Sequence, residues 1–259
     1  MGGFLAGLTM TSTVLALFTF WLFSLLDDCS WTKGRPLRGR GRRPRPAPPT
    51  GSDRTRAGQH WRSMAQEEYE SVASFGELAL DLMAAGAPAR LIERCHQAAR
   101  EELRHTEQCL EIAGLYGADT ELPGDIPALR KARSRPRWRS ALLTRLAVES
   151  YVDGCLGEAS SAIVLGKLAA ETTDENTRRI LKILAKEEMG HARLSQDIVE
   201  WSLSRGGPVV QRAVTRAKKR ANKLATRDLS GDGHSLRAYG VPDGDLRQAA
   251  LARAVEIYG

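Results

Sequence analysis

The chain has 259 residues, 42% hydrophobic and 27% charged, a composition that excludes collagen-like, wholly disordered and polytopic membrane proteins and fits one large or two small globular domains. The formal net charge is +7, but the sum does not locate the charge: residues 1–57 hold nine Lys/Arg against three Asp/Glu, whereas residues 58–259 hold 29 against 28 and are nearly neutral. Four cysteines, Cys29, Cys95, Cys109 and Cys155, are widely spaced with no Cys-x-x-Cys, which argues against a disulfide scaffold or zinc ribbon and suits a reducing compartment.

In chain order, the 25 residues from Gly2 to Leu26 carry no charge, a run longer than the roughly 20 residues a helix needs to cross hydrocarbon. Residues 1–28 therefore read as a single transmembrane anchor. No basic residue precedes the run and Asp27-Asp28 follow it, which sets it apart from a cleaved signal peptide and disfavours a lipid on Cys29. Residues 29–58 read as a basic, Pro/Arg-rich linker unable to bury a core, with seven bases in the thirteen positions between Lys33 and Arg45. Bases on this flank favour an outside N-terminus and a body on the cytoplasmic side. Their expected partner is the anionic lipid headgroup layer and not nucleic acid, since Trp31 is the only aromatic beside them.

After the linker the hydrophobic period is helical almost throughout, so the body is expected to be all-α. Helices are predicted over residues 61–85 and 88–116, separated by the turn Ala85-Gly86-Ala87-Pro88, and over 139–171 and 174–203, separated by Thr172-Thr173-Asp174. Residues 117–138 hold Gly124, Pro123, Pro127 and Pro136 and should stay irregular. Two tight helical hairpins joined by one long crossover is the connectivity of a ferritin-like four-helix bundle, here residues 59–205. Residues 206–259 read as a helical extension packed on the bundle, with a basic helix over 209–227 and a last one over 245–257. The thin apolar stripe of the basic helix predicts a solvated outer face.

Four acids fall on apolar stripes, where an unpaired charge is costly. Glu102 and His105 share a face with Leu91, Cys95, Ala98, Cys109 and Ile112, while Glu101 falls with Arg94, Gln97, Arg104 and Gln108 on a face expected to be wet. Glu188 and His191 share a stripe with Leu181, Leu184, Ala185, Ile198 and Val199, on which Ser195 and Ser202 also lie. Glu187 finds apolar company too; Glu188 is preferred because it reproduces the Glu-x-x-His spacing. Glu68 aligns with Val72, Phe75, Ala79 and Leu82, and Glu158 with Ala147, Tyr151, Cys155, Ala162 and Leu165. Residues three apart on a helix differ by about 60° and one turn of rise, so Glu and His can reach one point. Four carboxylates and two imidazoles are neutralised by two divalent ions. The oxygen and nitrogen donors suit iron, manganese or a mixed pair, and the lack of a thiolate argues against structural zinc.

On these residues the sequence resembles the ferritin-like di-iron carboxylate superfamily. The segments Glu68-Tyr-Glu-Ser-Val-Ala-Ser-Phe75, Glu102-Leu-Arg-His105, Gly154-Cys-Leu-Gly-Glu158 and Glu188-Met-Gly-His191 are similar to a bacterial group of ferritin-like domain proteins, of the rubrerythrin and ferritin type. The resemblance covers residues 60–204. It implies Glu102 and Glu188 as bridging ligands and Glu68, Glu158, His105 and His191 as terminal ones. Tyr69 departs from the His expected there, which bears on the ligands' surroundings and not on the ligands. The expectation is a single-pass protein of the bacterial inner membrane: a di-iron oxidoreductase that reacts with O₂ or peroxide, takes electrons from an unidentified donor and leaves room for a homodimer. The alternatives are an oxygenase or desaturase acting on an organic or lipid substrate, and a non-enzymatic iron-binding or envelope scaffold. No ligand role is expected for His60, His96 or His234, and Cys109, Cys155 and Tyr151 are expected to be core residues.

Overall fold

The computed structural model describes residues 50–124, 138–226 and 235–259; the expected anchor and the basic residues up to Arg45 lie outside them. Among the described residues there is no strand, and no helix is long and apolar enough to cross a membrane. Helices α1 (Gly51–Ala85) and α2 (Ala89–Leu115) form the first hairpin. The second pairs a long helix with α5 (Glu175–Ala225), capped at its start by Asp174, whose carboxylate accepts from the Thr177 amide at 2.7 Å. That long helix is α3 (Arg139–Glu149), a π-helical stretch (Ser150–Glu158) and α4 (Ala159–Glu171) in one unbroken run. After a 3₁₀ turn (Arg237–Tyr239), α6 (Gly244–Tyr258) ends the chain.

Cross-links at the two ends fix the helix directions. Arg139 donates to the Ala85 carbonyl at 3.3 Å and Arg145 pairs with Asp81 at 2.5 Å, so the second hairpin starts beside the turn of the first. At the other end Asn176 donates to Glu111 at 2.6 Å. Helices α2 and α3–α4 thus run parallel, and Leu115 and Arg139 lie at opposite ends of the bundle, about 40 Å apart for 27 helical residues. The core between the hairpins is formed by Phe75, Leu82, Leu91, Ile112, Leu143, Leu146, Ile163, Ile180, Leu181 and Leu184.

Two features differ from the sequence expectation. Helix α1 begins at Gly51, inside the segment expected to be linker. Ala57 and Gly58 are buried, Gly58 so close to Ala118 that an added Cβ would sit 3.1 Å from its Cβ, and Arg54 donates to the Leu115 carbonyl at 3.0 Å. Small residues, not a large apolar stripe, hold this extension. The basic helix starts afresh where the sequence placed it: α5 is two helical halves broken at Gly207 (φ 57°, ψ −153°), a left-handed backbone that favours glycine, with Pro208 restarting the helix. The returning segment buries Val210, Ala213, Val214, Ala217 and Ala221. The C-terminal segment closes the far end of the bundle, where Trp61, Tyr116 and Thr172 donate to the Tyr239 and Ala238 carbonyls.

The second difference is the π-helical stretch. Its i→i+5 hydrogen bonds put an extra residue into the turn and bring Gly154 against α5, where an added Cβ would lie 2.0 Å from Ser195 Oγ and 2.2 Å from its Cβ. Gly154→Ala is therefore expected to destabilise the protein by about 1–3 kcal/mol, read by chemical denaturation. Ser195→Gly should recover most of that loss in the double variant, because the clash is with that side chain.

Candidate metal centre

The four inward acids and both histidines meet at mid-bundle. Glu68 comes from α1, Glu102 and His105 from α2, Glu158 from the last π-helical position, and Glu188 and His191 from α5. Five of the six are buried, and Glu158 is partly so. They form two overlapping groups, Glu68, Glu102, His105 and Glu188, and Glu102, Glu158, Glu188 and His191, with the donor atoms of each group within 4.8 Å of one another. All six residues singled out from sequence are in these groups.

The shared members are Glu102 and Glu188. Glu102 turns Oε1 toward His191 Nδ1 at 3.1 Å and Oε2 toward His105 Nδ1 at 3.3 Å. Glu188 does the converse, with Oε1 3.0 Å from His105 Nδ1 and Oε2 3.5 Å from His191 Nδ1. Glu68 Oε2 lies 3.6 Å from His105 Nδ1. The two imidazoles stand 5.7 Å apart between centroids, and Phe75 packs edge-on to His191 at 5.0 Å.

Glu101 and Glu187 fill a role that the sequence reading missed. Glu101 is not merely on a wet face: its Oε2 accepts from His191 Nε2 at 2.9 Å, across from α2 to α5. Glu187 reciprocates from α5 to α2, accepting from His105 Nε2 at 2.9 Å. Arg104 lies 3.0 Å from Glu187 and 3.7 Å from Glu101. Each imidazole is thus held by its outer nitrogen, which leaves Nδ1 facing the cluster. The choice between Glu187 and Glu188 resolves by depth, because Glu188 is 1% exposed while the Glu187 side chain is 22% exposed. The signal was present in the sequence as the repeated doublet Glu-Glu-x-x-His, at Glu101–His105 and Glu187–His191.

The charges divide in a regular way. Burial pushes Glu68 and Glu158 well above the ordinary carboxylate range, and the Glu188 charge adds to it. Burial opposes ionisation of Glu102 and Glu188 too, but the two imidazoles facing them outweigh it and hold these two low. The imidazoles, despite their burial, are raised well above the usual histidine value by the carboxylates around them. Hydrogen bonding from His191 and His105 lowers Glu101 and Glu187.

The donor set fits a metal ion. Glu102 Oε2, Glu188 Oε2, His105 Nδ1 and His191 Nδ1 are all buried without a hydrogen-bond partner, and such orphaned groups point to a missing ligand. Oxygen and imidazole donors suit a first-row transition metal. The thiols do not compete: among the described residues Cys95, Cys109 and Cys155 are free and buried, and burial pushes Cys95 and Cys155 up to about 12. Cys155 Sγ lies 4.0 Å from the Ala192 carbonyl, and Tyr151 is 1% exposed, as a core aromatic should be. His96 is exposed.

No protein-family model matches the chain, and comparisons with curated proteins and with solved structures return no match.

Glu101→Gln and Glu187→Gln keep the shape at each outer nitrogen and remove the charge. Each is expected to weaken Mn²⁺ binding by about 10- to 100-fold, measured by equilibrium dialysis. Affinity of the unaltered chain should rise with pH between about 5 and 8, because donors held in their protonated forms must lose those protons to bind metal.

Proposed function

We propose that this cluster holds two redox-active ions, iron or manganese, and that the chain is a membrane-anchored di-iron oxidoreductase of the ferritin-like type acting on O₂ or peroxide. The observation that carries the reading is the bridging posture of Glu102 and Glu188, each with one oxygen toward each histidine. Charge counting supports it. With Glu102 and Glu188 ionised, Glu68 and Glu158 neutral and both imidazoles protonated, the six groups sum to zero. Exchanging the four protons of Glu68, Glu158, His105 and His191 for two divalent ions leaves the sum unchanged, so occupation adds no net buried charge.

Bound at such a site, two ions that change oxidation state supply the electrons for reducing O₂ or peroxide. The protein groups do the rest. Glu102 and Glu188 would hold both ions, and Glu68 and Glu158 would each serve one of them. Phe75 and the surrounding aliphatic core keep bulk water away. Glu101 and Glu187, partly exposed, connect each imidazole to solvent and hold its outer nitrogen in the protonated form. The uncharged run from Gly2 to Leu26 supports a location at the membrane.

The test is metal analysis of purified protein, followed by anaerobic loading with Fe²⁺ and an optical spectrum before and after O₂ or peroxide. Two ions per chain and an oxidant-dependent absorption change are expected. Glu102→Ala should lower the ratio to one or none while the helical circular dichroism persists. A ratio of two in that variant would sink the bridging assignment, and bound metal inert to both oxidants would favour the scaffold alternative.

A further inference from the structure

The near-neutral body conceals a segregation of charge. From Trp201 to Arg227 the sequence holds eight Lys/Arg and no Asp/Glu, so the rest of residues 58–259, with 21 bases against 28 acids, is net negative. The structure places this run as far as Ala225 on α5, whose second half packs on the bundle through Val210, Ala213, Val214, Ala217 and Ala221. Arg212, Arg216, Lys219 and Lys223 are exposed at steps of four, three and four residues, which is one helix face. Arg220, also exposed, flanks them.

Among the described residues none of these five bases is held in an ion pair. Several bases elsewhere in the bundle are paired, as in Arg94–Asp197, Arg104–Glu187, Arg145–Asp81 and Arg237–Asp243, and those left unpaired do not form an uninterrupted basic face of this length. Lys218 is the exception on this helix: it turns inward, its Nζ 3.0 Å from the Gly259 carbonyl and 5.6 Å from the Tyr151 ring centroid. Like charges at i,i+4 repel, so an all-basic face left without counter-charges fits a partner that carries them. Exposed Val209 and Leu224 lie at its two ends, and no aromatic lies between them on this helix to stack on a base.

We infer that this face of α5 rests on an anionic lipid surface, with phosphate headgroups as its ligand. The choice of lipid rests on the reading of Gly2 to Leu26 as a membrane anchor; the metal reading plays no part in it. The reach is sufficient, because the 24 residues between Leu26 and Gly51 span up to about 80 Å when extended. Anchor and basic face together give the bundle a fixed orientation to the bilayer that a tether alone does not.

The test uses the full chain with phosphatidylcholine vesicles, with or without phosphatidylglycerol, and reads amine acylation of single lysines by mass spectrometry. Labelling of Lys219 and Lys223 is expected to fall about fivefold or more in the anionic vesicles and to recover at high salt. Lys182 and Lys186, exposed on the first half of α5, serve as controls and should not change. Arg212→Glu with Arg216→Glu should restore labelling in the anionic vesicles. Equal labelling in both vesicle types, or equal protection in both, overturns the inference while leaving the anchor intact. If the chain sediments with neither vesicle, the anchor reading fails and this one with it. Stronger protection by duplex DNA than by vesicles overturns it in favour of nucleic acid.

Discussion

Four carboxylic acids in the middle of an aliphatic core are the constraint around which this fold is arranged. An isolated buried carboxylate costs several kcal/mol even after relaxation, and a helical bundle offers no free backbone donors at mid-helix to offset that. Here the compensation is shared among side chains. Two imidazoles lie between the acids, two further carboxylates fix the imidazoles from outside, and Arg104 ties that outer layer to α2. Removing any one member leaves its neighbours unpaired, so the cluster should behave as a unit and not as six additive contacts.

The backbone accommodates this cluster in ways that regular helices do not. Glu158 closes a nine-residue π-helical stretch, and Gly154 within it lets α5 approach so closely that Ser195 occupies the space of a missing side chain. A regular helix over the same residues would rotate Glu158 relative to Gly154. The extra residue per turn therefore reconciles two demands on one helix, close packing at Gly154 and an inward carboxylate at Glu158. Small residues serve the same end elsewhere, with Ala98, Ala159, Ala162, Ala185 and Ala192 all buried within four residues of a cluster member.

What was legible in the sequence follows from what repeats. The 3.6-residue period exposed both hairpins, and two Glu-x-x-His steps on apolar stripes exposed the six clustered groups. The π-helical stretch was not legible because it preserves composition and moves phase by a single residue, less than the tolerance of a stripe. Glu101 and Glu187 were obscured for a related reason. They sit at the edge of the apolar face, among polar neighbours, and their partners are histidines on the other hairpin, a pairing that no pattern within one helix reveals. The start of α1 at Gly51 was hidden because Ala57 and Gly58 pack by being small, whereas a hydropathy period registers large apolar side chains.

Helix α5 joins the two unlike parts of the molecule. Its first half supplies Glu188 and His191 to the centre, and its second half, beyond Gly207, carries the unpaired basic face. In a straight helix those bases would continue the axis away from the bundle. The left-handed backbone at Gly207 folds them back along it, where Lys218 reaches Tyr151 and Gln248 bonds the Ala225 carbonyl. The break is also an electrostatic separation. The Glu187 and Glu188 carboxylates face a network of nearby hydrogen bonds, while the stripe from Arg212 to Lys223 lies on the outer surface of the protein, where charge is screened within about 10 Å. One chain segment can therefore carry a buried, charge-balanced centre and an exposed, unbalanced surface without either perturbing the other.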